Sequence, residues 1–165
     1  MVWPETDDFK IREASPEEYQ EIYQLVKEAF RHYKKDKPVT GHLKESPGDV
    51  KEDIEKNLVL VLLKENKIIG SLRLEKKEEG NFYLKRFAVL PDYQGLGCGS
   101  MLFSAAEKKA LKRNCCQIYL HASAADKRIR NFYQQLGFKC IRVDKEKGYA
   151  RGLWVKKLTK EMKGD

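Results

Sequence analysis

The sequence has no long hydrophobic run. Its longest, Leu58–Leu63, is strand-sized and far short of the roughly 20 apolar residues that a bilayer-spanning helix needs. The N-terminus, Met-Val-Trp-Pro-Glu-Thr-Asp-Asp, lacks the basic start and apolar centre of a secretory signal. Together these absences disfavour a membrane partner and predict a cytoplasmic protein. Cysteine is scarce as well, with four residues at Cys98, Cys115, Cys116 and Cys140 and no CxxC pair. Neither a disulfide framework nor a zinc site follows from that spacing, so reduced thiols and no metal are expected. Repeats, linkers and low-complexity tracts are missing, which leaves no sequence-level boundary between domains.

What is present is a densely charged globular chain. Its 165 residues are 41% hydrophobic and 35% charged, a balance that predicts one soluble domain over residues 1–165 with too little material for a second. The formal charge of +8 favours anionic partners: nucleic acid, a membrane surface or a polyphosphorylated cofactor. Acids interrupt the basic clusters, as in Lys76-Lys77-Glu78-Glu79, and such mixing describes a solvated face. The cluster Arg31-His32-Tyr33-Lys34-Lys35 is expected to close the first helix.

Periodicity orders the elements. Phe9–Glu13 is a short strand, and Ser15-Pro16-Glu17-Glu18 is a capping box with proline at the first helical position. Tyr19, Ile22, Tyr23, Val26 and Phe30 then recur at spacings of three and four, predicting a helix to about Tyr33. Lys34–Glu45 is expected to be a loop, and Ser46-Pro47-Gly48-Asp49 starts a second helix through Val50 and Ile54. Leu58–Leu63 and Ile68–Leu74 form a hairpin about Lys64-Glu65-Asn66-Lys67, and Phe82–Leu90 follows as a third strand. Beyond Pro91 a glycine-rich turn leads into a helix that ends at Asn114. Gln117–Ala122 is a strand, Asp126–Leu136 a helix capped by Gly137, and Phe138–Val143 and Gly152–Lys157 are strands. Antiparallel strands followed by strand, helix, strand predict an α/β (α+β) fold. It has one mixed, mostly antiparallel sheet of six to seven strands with helices on both faces, and the strands at Phe82 and Gln117 lie parallel.

The chemistry concentrates in Phe87-Ala88-Val89-Leu90-Pro91-Asp92-Tyr93-Gln94-Gly95-Leu96-Gly97-Cys98-Gly99-Ser100. A buried strand ends, a proline turns the chain, and three alternating glycines precede a helix. Glycines admit a ligand close to the backbone, and consecutive N–H groups at a helix N-terminus converge on an anion, so the stretch suits a phosphate or pyrophosphate. A P-loop is disfavoured because no lysine follows Gly99. The dinucleotide fingerprint fails because the spacing is GxGxG and the loop comes after antiparallel strands.

Gln94-x-x-Gly97-x-Gly99 resembles the Q/R-x-x-G-x-G/A cofactor loop of the GNAT family of N-acetyltransferases. The preceding strand and the downstream Asn131-Phe132-Tyr133-Gln134-Gln135-Leu136-Gly137-Phe138 are similar to the family's counterparts, the latter to its FYxxLGF segment. The resemblance implies a GNAT-like acyl-CoA N-acyltransferase fold with acetyl-CoA as co-substrate. In it, Gln94, Gly95, Leu96, Gly97, Cys98, Gly99 and Ser100 hold the pyrophosphate. The strand at Phe87, Ala88 and Val89 pairs with the pantetheine arm, the Val89 N–H polarises the thioester carbonyl, and a splay between the strands at Val89 and Ile118 forms its slot. Asp126 stands where the family often has an asparagine near the cofactor, and Ile129 where it has a small residue. Tyr133 corresponds to the tyrosine that protonates the leaving thiolate.

A third position departs from the family. Many relatives carry a glutamate where this chain has Tyr83, which leaves the general base open. His121 is a candidate because imidazole titrates near neutrality, and Glu75 is a second. Cys98, at a helix N-terminus, is expected to have a lowered thiol pKa, although direct transfer needs no covalent intermediate. The expected activity is acetyl transfer from acetyl-CoA to a primary amine, on a small molecule or a protein, within a ternary complex. A non-catalytic acyl-CoA sensor or a basic nucleic-acid-binding module on the same fold is the alternative. No aromatic-basic nucleic-acid motif supports the latter, and a homodimer is compatible with either.

Overall fold

The computed structural model describes residues 8–31 and 44–159. The expected end of the first helix near Tyr33, the cluster His32–Lys35 and most of the Lys34–Glu45 loop lie outside the described residues. Among the described residues, seven strands and four α-helices follow the predicted order: β1 (Phe9–Glu13), α1 (Tyr19–Phe30), α2 (Pro47–Lys56), β2 (Leu58–Lys64), β3 (Lys67–Lys76), β4 (Asn81–Val89), α3 (Cys98–Lys112), β5 (Gln117–Ser123), α4 (Lys127–Gln135), β6 (Lys139–Asp144) and β7 (Arg151–Lys157). Strand order in the mixed sheet is β1-β2-β3-β4-β5-β7-β6. The β1/β2, β2/β3, β5/β7 and β6/β7 pairs are antiparallel and β4/β5 is parallel, as expected for two strands joined through a helix.

Two compact units are distinguished, one of residues 8–31, 44–75 and 85–107, the other of 76–84 and 108–159. In the first, local signals set the element ends. Ser15 N donates to Glu18 Oε1 (2.8 Å) and Ser46 N to Asp49 Oδ2 (2.9 Å), so each helical segment opens on a carboxylate that answers a backbone donor. The hairpin turns at Glu65 (φ 50°) and Asn66 (φ 67°), the pair of left-handed residues that matches the twist of adjoining strands. Ile22 and Leu25 of α1 and Val50 of α2 pack with Val59, Val61 and Leu63 of β2 and Ile68 of β3. Leu58, Leu60 and Leu62, on the other face of β2, are buried too, so this strand is covered on both sides and reads as an unbroken apolar run. Removing these side chains from water supplies roughly 1.5–3 kcal/mol each.

The second unit carries β5, β7 and β6, with α4 between β5 and β6 in the chain. The last strand, β7, inserts between the two earlier ones, pairing Leu120 with Trp154 on one side and Trp154 with Cys140 on the other. Trp154 is buried, and its Nε1 donates to Ala122 O (3.3 Å). Gly137, at φ 98°, ends α4 as predicted. Among the described residues no helix is long and apolar enough to cross a membrane.

Candidate active site

The glycine loop lies in the first unit. Pro91–Tyr93 forms a 3₁₀ turn in which Tyr93 N donates to Leu90 O (2.9 Å) and Gln94 N to Pro91 O (3.2 Å). The Gln94 side chain then reaches back, its Nε2 donating to Val89 O (2.9 Å), and so ties the loop to the end of β4. Gly95 (φ 80°) and Gly97 (φ 85°) both adopt the left-handed region, which only glycine enters without strain. A Cβ built on Gly95 would meet nothing within 4 Å, so the loop faces open space there. Gly97 O accepts from Met101 N (3.0 Å), which makes Gly97 the N-cap of α3. Helix geometry leaves the amides of Cys98, Gly99 and Ser100 without a carbonyl one turn earlier, and the partial positive charge of the helix terminus collects there. These features fit an anion of pyrophosphate type.

Cys98 needs a correction. Its place at the helix terminus predicts an acidic thiol, but burial pushes the thiol above its usual range, with the Lys64 ammonium opposing more weakly. Desolvation outweighs the helix terminus because the side chain turns inward while the amide stays on the loop.

The strand before the loop holds a feature that the sequence hides. Arg86, in the middle of β4, has φ 52°. The other non-glycine left-handed residues described, Glu65, Asn66 and Asn114, stand in the hairpin turn and just beyond α3. Around Arg86 lies a network of charges. Arg73, fully buried on β3, grips Glu45 with both terminal nitrogens and donates to Asp53 Oδ2 (3.0 Å). Arg86 Nε donates to Glu45 Oε1 (3.3 Å), while Lys85 Nζ meets Asp53 Oδ1 (3.3 Å) and Glu75 Oε2 (2.8 Å). Glu75, considered above as a base, thus has an ammonium partner. An arginine amid the apolar run of β3 was the one sequence signal for this network.

In the second unit, Tyr133 sits half-buried on α4 in an aromatic cluster, with ring centroids 5.1 Å from Phe132, 5.7 Å from Phe138 and 6.2 Å from Trp154. The cluster holds the ring while α4 itself has no fully buried residue. Asp126 is the N-cap of α4, its Oδ1 accepting from Arg128 N (3.0 Å) and Ile129 N (3.3 Å).

His121, on β5, has its Nδ1 3.0 Å from the Tyr83 hydroxyl. The register explains the meeting: Tyr83 pairs with Tyr119, and His121 is the next residue on the same face of β5. Burial, then the Arg151 and Arg142 guanidiniums, push the His121 pKa down against the pull of Asp144, so the imidazole is neutral near pH 7. Tyr83 is therefore coupled to the histidine.

Residues 19–138 match the sequence profile described as the Acetyltransferase (GNAT) family. The chain belongs to that family. Solved GNAT-type structures share its fold. The PaiA N-acetyltransferase of Thermoplasma acidophilum, determined in complex with coenzyme A, superposes with a TM-score of 0.78 at 20% identity, covering 91% of this chain and 99% of that one. An acetyltransferase of Streptococcus agalactiae gives 0.74 at 22% identity, over 92% and 99%. A GNAT-family acetyltransferase of Staphylococcus aureus gives 0.75 at 14%, again over 92% and 99%. At such identities the likeness is one of fold. The profile match takes in the glycine loop, His121 and Tyr133 within a GNAT chain.

Proposed function

We propose that this GNAT protein is a single-domain N-acetyltransferase that moves an acetyl group from acetyl-CoA to a primary amine by direct attack in a ternary complex. The observation that carries the reading is the loop: two left-handed glycines, one facing open space, lead into the start of α3 at Cys98, Gly99 and Ser100, where helix geometry supplies no carbonyl partner for the amides. A pyrophosphate is the anion such a cradle fits, and the PaiA N-acetyltransferase that shares the fold was determined in complex with coenzyme A.

Acetyl-CoA, when bound, supplies an activated thioester carbonyl. In this proposal the residues 94–100 hold its pyrophosphate, and the main chain of Phe87, Ala88 and Val89 lies along the pantetheine. The Val89 N–H stabilises the oxyanion that forms as the amine nitrogen bonds to the carbonyl carbon. As the carbon–sulfur bond breaks, sulfur keeps the electron pair and Tyr133 donates a proton to it. His121, neutral and hydrogen-bonded to Tyr83, accepts the proton that the amine nitrogen must lose. Asp126 supports the site through the N-terminus of the helix that carries Tyr133.

Calorimetry with coenzyme A and acetyl-CoA tests the cradle, and release of free thiol across a panel of primary amines tests the transfer. Binding with amine-dependent thiol release is expected. Absence of binding by folded protein would overturn the reading, and binding without release would favour an acyl-CoA sensor.

A further inference from the structure

The network around Arg86 points to a device for aiming the peptide groups of β4. Along that strand Phe82, Leu84 and Ala88 are buried, so the alternation assigns position 86 to the inner face, where an arginine requires an acid. The acid is Glu45, its side chain only 4% exposed and fixed by the bidentate grip of Arg73, whose side chain is 0% exposed. On the preceding residue, Lys85 is held in turn by Asp53 and Glu75. Two consecutive side chains are thus tethered at the point where the backbone takes φ 52°. On the far side, the segment is tied by Gln94 Nε2 to Val89 O (2.9 Å) and by Leu90 N to Ile69 O (2.9 Å). The peptides of Phe87–Val89 are therefore fixed at both ends, and the Glu45 end holds the less favoured conformation.

We propose that Glu45 is a positioning residue: anchored by Arg73, it keeps Arg86 left-handed and so sets the direction in which the Phe87–Val89 main chain presents its donors and acceptors. Its consequence for turnover rests on the acetyltransferase reading above; its effect on the strand does not. A left-handed arginine without its tether is disfavoured by roughly tenfold or more in population. Glycine at the same position takes that conformation freely. Glu45 is then replaceable if residue 86 becomes glycine.

The test compares Glu45→Gln, the double variants Glu45→Gln/Arg86→Gly and Glu45→Gln/Arg86→Ala, and Arg86→Ala alone. Amide hydrogen exchange over residues 85–90 is read beside kcat, KM for acetyl-CoA and the calorimetric affinity for coenzyme A. Glu45→Gln preserves volume and leaves Arg73 its contact with Asp53, so the core is retained. Exchange over 85–90 should quicken and kcat fall about tenfold with coenzyme A affinity held by the untouched loop. Arg86→Gly should restore both in the Glu45→Gln background, and Arg86→Ala should restore neither. Unchanged exchange in Glu45→Gln, or equal effects of glycine and alanine at position 86, would overturn the proposal. If the wild-type protein neither binds coenzyme A nor turns over, the acetyltransferase reading fails, and the exchange measurements still decide the role of Glu45.

Discussion

Replacing Asp126 by alanine isolates what supports the helix beneath Tyr133. The helix α4 spans nine residues and buries none of them fully, so neither length nor burial secures it strongly; isolated helices shorter than about 12–15 residues are marginal in water. Its first-turn amides at Arg128 and Ile129 both donate to Asp126 Oδ1, at 3.0 and 3.3 Å. Loss of such a cap costs about 1 kcal/mol, and loss of a negative charge at the helix N-terminus adds about 0.3–1 kcal/mol. Asp126→Ala should therefore destabilise α4 by about 1–2 kcal/mol, quickening amide exchange over residues 127–135 by roughly five- to thirtyfold. Asparagine caps about as well as aspartate, so Asp126→Asn should keep most of the protection and give up only the charge contribution. Exchange measured by mass spectrometry, with acetyl-CoA KM beside it, separates the cap from a direct cofactor contact. If Asp126→Ala leaves α4 exchange unchanged, or Asp126→Asn loosens it equally, the cap is not what holds the helix. If Asp126→Asn changes KM while exchange is unaltered, the carboxylate acts on the cofactor itself.

The remaining predictions concern the acid, the base, the loop and the cysteines. Tyr133→Phe preserves the ring contacts with Phe138 and Trp154, so acetyl-CoA affinity should hold while turnover drops by about 10²-fold or more; unchanged turnover would remove Tyr133 as the acid. Because His121 titrates below its ordinary 6.5, the unfolded chain binds its proton first as pH falls; the stability contributed by the neutral ring is complete above about 6.5 and is lost below it. Arg151→Gln removes a repelling cation and frees Asp144 from its 3.3 Å partner, so the His121 midpoint measured by NMR should rise, carrying the acid limb of the rate profile with it; Tyr83 and Arg142 remain as neighbours. Gly95→Ala meets no protein atom within 4 Å, so its cost to the free protein is only the left-handed strain of roughly 1 kcal/mol. A larger loss in coenzyme A affinity by calorimetry would place the anion beside it, and an unaltered affinity would move the anion elsewhere. Alkylation should reach exposed Cys116 and Cys140 well before buried Cys98, as mass spectrometry can follow.

Which of these features were legible in the sequence follows from how far apart their causes lie. The capping boxes at Ser15 and Ser46, the hairpin at Glu65-Asn66 and the C-cap at Gly137 depend on a few adjacent residues, and each forms where the local chemistry asks for it. The strand limits moved by a residue at Leu90 and Phe138, since an apolar run extends beyond the ladder, and the helix limit moved at Asp126, which caps α4 and so stands outside it. The place of β7 between β5 and β6 has no local cause: β7 follows β6 in the chain and reaches its slot through packing around Trp154. Tyr83 and His121 lie between these cases, since parallel pairing of β4 with β5 and a two-residue period bring them to one face once Tyr83↔Tyr119 is known.

Arg73 and Arg86 carry the harder lesson. Arg73 lies in the continuously buried run of β3 and Arg86 on the face of β4 that the alternation turns inward, and each sets a charged side chain against an apolar strand, a conflict that energetics alone would remove. The structure resolves the conflict with Glu45, which stands before α2, and the resolution leaves Arg86 in a conformation that arginine does not choose. A strand holding only apolar residues there would fold with less expense but would follow the ordinary pleat. The charged arrangement accompanies a departure from that pleat one residue before the peptide groups proposed to meet the thioester. That coincidence is the physical argument for reading the network as part of the site rather than as a surplus of ion pairs.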